Sequence, residues 1–130
     1  MHRKALFFLV ILILAACKDD KSKIPYRDLP PEGDPVNGVR LFNMEVNRAA
    51  ACSACHTVDG TDTGTPSLLG FAARASERVE GQDAREYTFY SIVEPGRHIV
   101  DDFGNAMYDG YDEKMTAQQI ADIIAYLLRL

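Results

Sequence analysis

A chain of 130 residues, 47% hydrophobic and 25% charged, suits one small globular domain; it leaves no room for a second core and carries no repeat or low-complexity tract. The formal net charge is −5, and removing a leader that contains Arg3 and Lys4 makes the remainder more acidic still. An acidic surface argues against nucleic acid and for a partner with a basic docking patch.

Residues 1–16 read as a secretory leader, with a positive start at His2, Arg3 and Lys4, an apolar run from Ala5 to Leu14, and then small residues. The run is too short to remain in a bilayer as a permanent span. Leu14-Ala15-Ala16-Cys17 resembles the lipobox of bacterial lipoproteins, in which the cysteine becomes the lipidated first residue of the mature protein. An ordinary signal peptide cut near Ala16 is the alternative, and it leaves a free Cys17 in an exported protein to be explained. Several acyl chains on Cys17 give firm anchoring, whereas a single chain binds only marginally. Residues 17–33 then turn polar and proline-rich, with Pro25, Pro30, Pro31 and Gly33 and no apolar periodicity. They are expected as a lipid-anchored flexible tether that extends roughly 50–60 Å at ~3.3 Å per residue. A strap packed on the domain has the same composition.

The domain itself is expected over residues 34–130. Asp34-Pro35 is a strong helix start, an N-cap side chain followed by proline at the first helical position. Val39, Phe42 and Val46 follow at helical spacing, so the helix is expected to run to about Val46. Gly38 costs helix propensity there, which implies that another backbone or large side chain comes close.

Cys52-Ser53-Ala54-Cys55-His56 is the stretch that carries chemistry. Two cysteines three apart share one face of a helical turn, and a histidine follows at once. Both thiols can add to the vinyl groups of one haem while the adjacent imidazole reaches the iron, and C-x-x-C-H reads as c-type haem attachment. A thioredoxin-like dithiol would want a βαβ context, and a structural zinc site would want two more ligands. The remaining candidates are Cys17, His2 and His98 alone. A porphyrin fixed by two covalent bonds would supply much of the apolar surface that so short a chain lacks, so the protein is expected to fold only with its haem.

After His56 comes a loop rich in glycine and threonine. A coordinated histidine usually donates its second ring N–H to a carbonyl, and the Thr65-Pro66 turn is the nearest rigid segment able to accept it. Alternatively, Pro66 only ends the loop. A further helix is expected over residues 83–93, with Tyr87, Tyr90, Ile92 and Val93 on its apolar side and Pro95-Gly96 as its stop. The last helix is clearer. Thr116 is an N-cap, Gln119 completes a capping box, and Ile120, Ile123, Ile124, Leu127 and Leu128 form a continuous stripe. No alternating strand of any length is present, so the fold class is all-α, a few short helices with long loops around one cofactor.

With these residues in hand, residues 34–130 resemble a class I, mitochondrial-type monohaem cytochrome c. Gly38 and Phe42 match the glycine and aromatic residue of that family's first helix, and Ile123 with Tyr126 match the residues of the last helix that cross them. The run from Gly64 to Gly70 resembles the family's Gly-Pro-x-Leu-x-Gly segment, whose proline carbonyl takes the bond from the axial histidine; the resemblance gives that role to Pro66. Arg74 falls where several members place an arginine near a haem propionate, a role that Arg78 and Arg97 could also fill. The resemblance also implies a methionine as second axial ligand, and Met107 stands in the matching segment, with Tyr108 in place of the family's usual proline. The rivals are worse placed: Met44 precedes the haem motif, Met115 is the staple partner of Ile120 before the Thr116 cap, and His98 matches no ligand position.

One covalent haem c held by His56 and Met107 implies a single-electron carrier and not an enzyme, since no coordination site is open. The expected setting is the periplasm or the outer face of the cytoplasmic membrane, between a quinol-oxidising complex and an oxidase or photosynthetic reaction centre. The lipobox and linker are also similar to cytochrome subunits of larger respiratory or photosynthetic complexes, including the lipid-anchored cytochrome of alternative complex III. Two other classes stay open. One is a haem enzyme or gas sensor with a labile sixth ligand, the other a purely structural cytochrome subunit.

Overall fold

The computed structural model describes residues 22–61 and 63–130. The leader, the lipobox and Cys17 lie outside the described residues. Among the described residues five α-helices follow one another: α1 Pro35–Phe42, α2 Phe71–Ala75, α3 Ala84–Val93, α4 Tyr111–Lys114 and α5 Ala117–Leu127. Among the described residues no strand forms, and the one β-type pairing is an isolated bridge between Val46 and Ala49.

The frame is the crossing of α1 over α5. Asp34 caps α1 by accepting the Val36 N–H, and Pro35 occupies the first helical position. Thr116 and Gln119 form the full capping box of α5, each side chain bonded to the other's backbone N–H. The helices meet at Gly38, where a Cβ would lie 2.0 Å from the Asp122 carbonyl oxygen and 2.8 Å from Tyr126 Cβ. Only glycine allows so close an approach. One turn on, the Phe42 and Tyr126 rings meet edge to face at 5.4 Å. Ile120, Ile123 and Ile124 on α5 are at most 1% exposed, and each such burial stabilises by roughly 1.5–3 kcal/mol.

A buried carboxylate locks the same crossing. Asp122 accepts the Asp34 backbone N–H at 2.8 Å, the Asn37 amide at 2.6 Å and the Gln118 amide at 2.8 Å. Burial alone would push its carboxyl up, yet the hydrogen bonds from Asn37, Asp34 and Gln118 together hold it below the ordinary value.

Two elements differ from expectation. α1 stops at Phe42 and does not reach Val46, because Asn47 and Arg48 take positive φ values of 48° and 70° in a tight turn closed by the Val46–Ala49 bridge. Its buried face is Gly38, Leu41 and Phe42, so Val39, expected inside, is 43% exposed. Residues 22–33, expected within a free tether, are instead a strap on the domain. Leu29 is 5% exposed, Tyr26 packs on Phe89 and Tyr90 at 5.3 and 6.1 Å, and Arg85 donates to the Pro30 carbonyl. The Ser22 N–H reaches Glu94 Oε1 at 3.0 Å. The strap also explains α3, which is buried on two sides: Tyr87, Ile92 and Val93 are inside as expected, but so are Thr88 and Phe89.

Candidate haem site

The turn that follows α1 delivers the chain into a short 3-10 turn, Cys52–Ala54. The Cys55 and His56 N–H groups both point back to the Cys52 carbonyl, at 3.2 and 2.9 Å, so the two thiols and the imidazole leave one tight turn. Neither thiol is in a disulfide; Cys52 is half-buried and Cys55 exposed. Burial pushes the Cys52 thiol up to about 11, with Cys55 beside it adding to the shift. A reactive redox dithiol wants the opposite shift. Two free thiols on one tight turn suit thioether bonds instead.

The imidazole is aimed by the next loop. His56 Nδ1 lies 2.9 Å from the Pro66 carbonyl oxygen. A carbonyl only accepts, so Nδ1 carries the proton and Nε2 keeps its lone pair for a metal. The loop is tied to the motif and to itself: the Thr63 and Thr65 hydroxyls both donate to the Cys55 carbonyl, and the Leu68 N–H donates to the Thr57 carbonyl at 2.8 Å. Arg74, on α2, donates through its two terminal nitrogens to the carbonyls of Leu69 and Ser67. Its contacts therefore brace the segment that carries Pro66.

Met107 lies in the irregular stretch between α3 and α4. It is half-buried and, like Cys52, packs against the hydrophobic core. Met115 is 5% exposed in that core and Met44 is 37% exposed, with the Arg40 guanidinium 3.4 Å from its sulfur. His98 is exposed, its ring edge-on to Tyr87 at 5.8 Å. The structure thus joins His56 to Pro66 directly and links Arg74 to the Pro66 loop, while Cys52 and Met107 each pack against the hydrophobic core.

A cleft of about 830 Å³ opens beside the Met107 stretch, lined also by Lys23, Glu94, Arg97, Asn105 and Asp109. Met107 itself lines it, whereas Cys52, Cys55, His56 and Pro66 do not. Arg97 lies 3.6 Å over the Tyr90 ring; its buried Nη1 makes no hydrogen bond and has the Glu94 carboxylate at 3.7 Å. Sequence reasoning also missed Tyr111, which is 5% exposed. Burial pushes its phenol up to about 12, helped by the nearby Cys52 and Cys55 thiols. An aromatic residue soon after Met107 and directly after a glycine was its only signal.

The donor set fits one covalently held haem: two free thiols on one turn, an imidazole with its tautomer fixed, and a core-packed thioether. A family model described as Cytochrome c matches residues 36–130. A protein of Theileria annulata named Cytochrome c is 32% identical over 111 residues, covering 75% of this chain and 86% of that protein. Members of the family are electron carriers that bind one covalent haem c. By sequence match and by the helical frame that carries the motif, this chain belongs to the cytochrome c family.

Proposed function

We propose that this protein is a membrane-anchored, single-electron carrier of the class I type, held by lipid on Cys17 and working between a quinol-oxidising complex and an oxidase or photosynthetic reaction centre. Cys52 and Cys55 hold the haem, His56 and Met107 are the axial ligands, and Arg74 contributes positive charge near its propionate edge. The observation that carries this reading is the His56 Nδ1 contact to Pro66 at 2.9 Å. It fixes the imidazole for axial ligation. With a thioether as second ligand no position is open, and the thioether raises the potential relative to two histidines.

The packed strap bears on the partner. If residues 22–33 stay on the domain, the chain between Cys17 and Ser22 spans at most about 18 Å at ~3.6 Å per step. A reach of that length favours a partner in the same membrane, as a fixed or closely neighbouring subunit, over wide excursions. No helix among the described residues is long and apolar enough to cross a membrane.

Three experiments test it. Membrane fractionation of Cys17→Ser should release the protein, and a variant that is processed and retained normally refutes the lipid anchor. Detergent-solubilised membranes should yield the protein together with a quinol-oxidising complex or its electron acceptor. Reduced protein that binds carbon monoxide freely in its native form would favour the enzyme or sensor reading instead.

A further inference from the structure

The stretch that bears Met107 is irregular, and its backbone makes few bonds of its own. The Phe103 N–H reaches the Val100 carbonyl and the Ala106 N–H the Gly104 carbonyl, both at 3.1 Å, and Asp102 takes a positive φ of 71°. Such a segment does not set the position of a side chain to a fraction of an ångström unless something outside it does. Upstream, the Asn105 amide rests where a Cβ on Gly96 would lie within 3.0 Å. Downstream stands α4, a single turn of helix.

Both ends of α4 are fastened to the turn that leads into the cysteine motif. Tyr111 Oη donates to the Ala50 carbonyl at 2.9 Å, two residues before Cys52. The Asn47 amide donates to the Lys114 carbonyl at 2.7 Å, and Asn47 is in the positive-φ geometry that asparagine tolerates. Between Met107 and α4, the Tyr108 ring stands edge to face on Tyr111 at 5.1 Å and 87°. That ring fills the space a side chain on Gly110 would need, since a Cβ there would meet Tyr108 Oη at 2.6 Å and Cζ at 2.8 Å. Tyr108 is 41% exposed, so a core role does not account for this packing.

We propose that Tyr111 and Tyr108 are positioning residues for Met107: Tyr111 bolts the Met107 stretch to the turn before Cys52, and Tyr108 braces the bolt in place of a rigid proline. The proposal rests on Met107 being the second axial ligand. Its consequence is that the thioether side and the thioether-bond side of the site move as one body, so Met107 is not released by ordinary loop motion. Tyr111 acts through its hydroxyl, and Tyr108 through its ring alone.

The test uses full-length, haem-loaded protein and reads the far-red band of a methionine-bound ferric haem, the pH at which that band is lost, and the rate of carbon monoxide binding to the reduced form. Tyr111→Phe removes one hydrogen bond and keeps the ring; it should speed carbon monoxide binding about tenfold and move the band loss to lower pH. Tyr108→Ala should do the same, Tyr108→Phe should behave as the native protein, and Gly110→Ala should mimic Tyr108→Ala although both tyrosines remain. A purely structural role would lower the melting temperature in these variants and leave band, pH and binding rate where they were; that result overturns the proposal. Met107→Ala separates the two levels. A band that survives it overturns the ligand assignment and the proposal with it, whereas a band lost in Met107→Ala but unmoved in Tyr111→Phe and Tyr108→Ala overturns the proposal alone.

Discussion

Gly38→Ala is the substitution that most directly probes the frame. Alanine has the better intrinsic helix propensity, by about 1 kcal/mol, and α1 is a regular helix, so a purely local argument predicts stabilisation. The crossing says otherwise. The new methyl would sit 2.0 Å from the Asp122 carbonyl oxygen and 2.8 Å from the Tyr126 Cβ, where ordinary contact begins near ~3.5 Å. The obstacle is the backbone of α5 and not the tip of a flexible side chain, so the helices must part by on the order of 1 Å or more. Parting them loosens the Phe42–Tyr126 contact and the hydrogen bonds of Asp122 in one step. Overpacking of this kind costs about 1–3 kcal/mol, with the lost contacts in addition. A net loss of about 2–3 kcal/mol lowers the melting temperature of a domain this size by roughly 8–20 °C. Thermal unfolding of the haem-loaded protein followed by circular dichroism measures it, with Val36→Ala on the exposed face of α1 as a control. A Gly38→Ala protein that melts at or above the native temperature would refute the close crossing.

Asp122→Asn should cost about 1–3 kcal/mol at neutral pH by weakening the bonds from Asn37, Gln118 and the Asp34 N–H. The folded Asp122 carboxyl titrates below its ordinary value of 3.8, so its contribution is present above that pH and is lost as pH falls through the folded value. Acid titration of stability should therefore be flatter in Asp122→Asn than in the native protein, and equal slopes would contradict the account. Thr116→Ala removes one half of the α5 capping box and should cost about 1 kcal/mol, read as a shift in denaturant midpoint at unchanged slope. Leu29→Ala should cost about 2 kcal/mol or more and speed tryptic cleavage at the exposed Arg27; cleavage no faster than in the native protein would mean that Leu29 does not hold the strap down.

What the sequence revealed and what it hid divide along the range of the forces involved. The start of α1 and the start of α5 were legible because Asp34-Pro35 and Thr116 with Gln119 act within one turn. The close contact at Gly38 was legible because a glycine inside a helical pattern has a cost that something must offset. The end of α1 was not, since Val46 keeps helical spacing and the turn at Asn47 and Arg48 is fixed from afar by the Lys114 carbonyl. Phe89 was missed because α3 is covered on its second side by Tyr26, and a proline-rich polar strap and a proline-rich polar tether look the same until Leu29 and Tyr26 have something to pack on. In the site, Cys52, Cys55, His56 and Pro66 were legible as local spacing and turn chemistry. Arg74 was singled out for a haem propionate, and its bonds to the carbonyls of Ser67 and Leu69 were not anticipated; nor was the Tyr111 hydroxyl bond, whose partner Ala50 lies 61 residues away.

The central claim is that Cys52 and Cys55 carry a haem in covalent linkage, and intact-mass spectrometry of the denatured, acid-acetone-extracted protein tests it most directly. The account predicts the mass of one haem retained on the native chain, halved linkage chemistry but retained haem in Cys52→Ser or Cys55→Ser, and no retained haem in the double variant. A folded protein whose denatured mass equals that of the bare polypeptide, or that holds zinc at these cysteines, would contradict it.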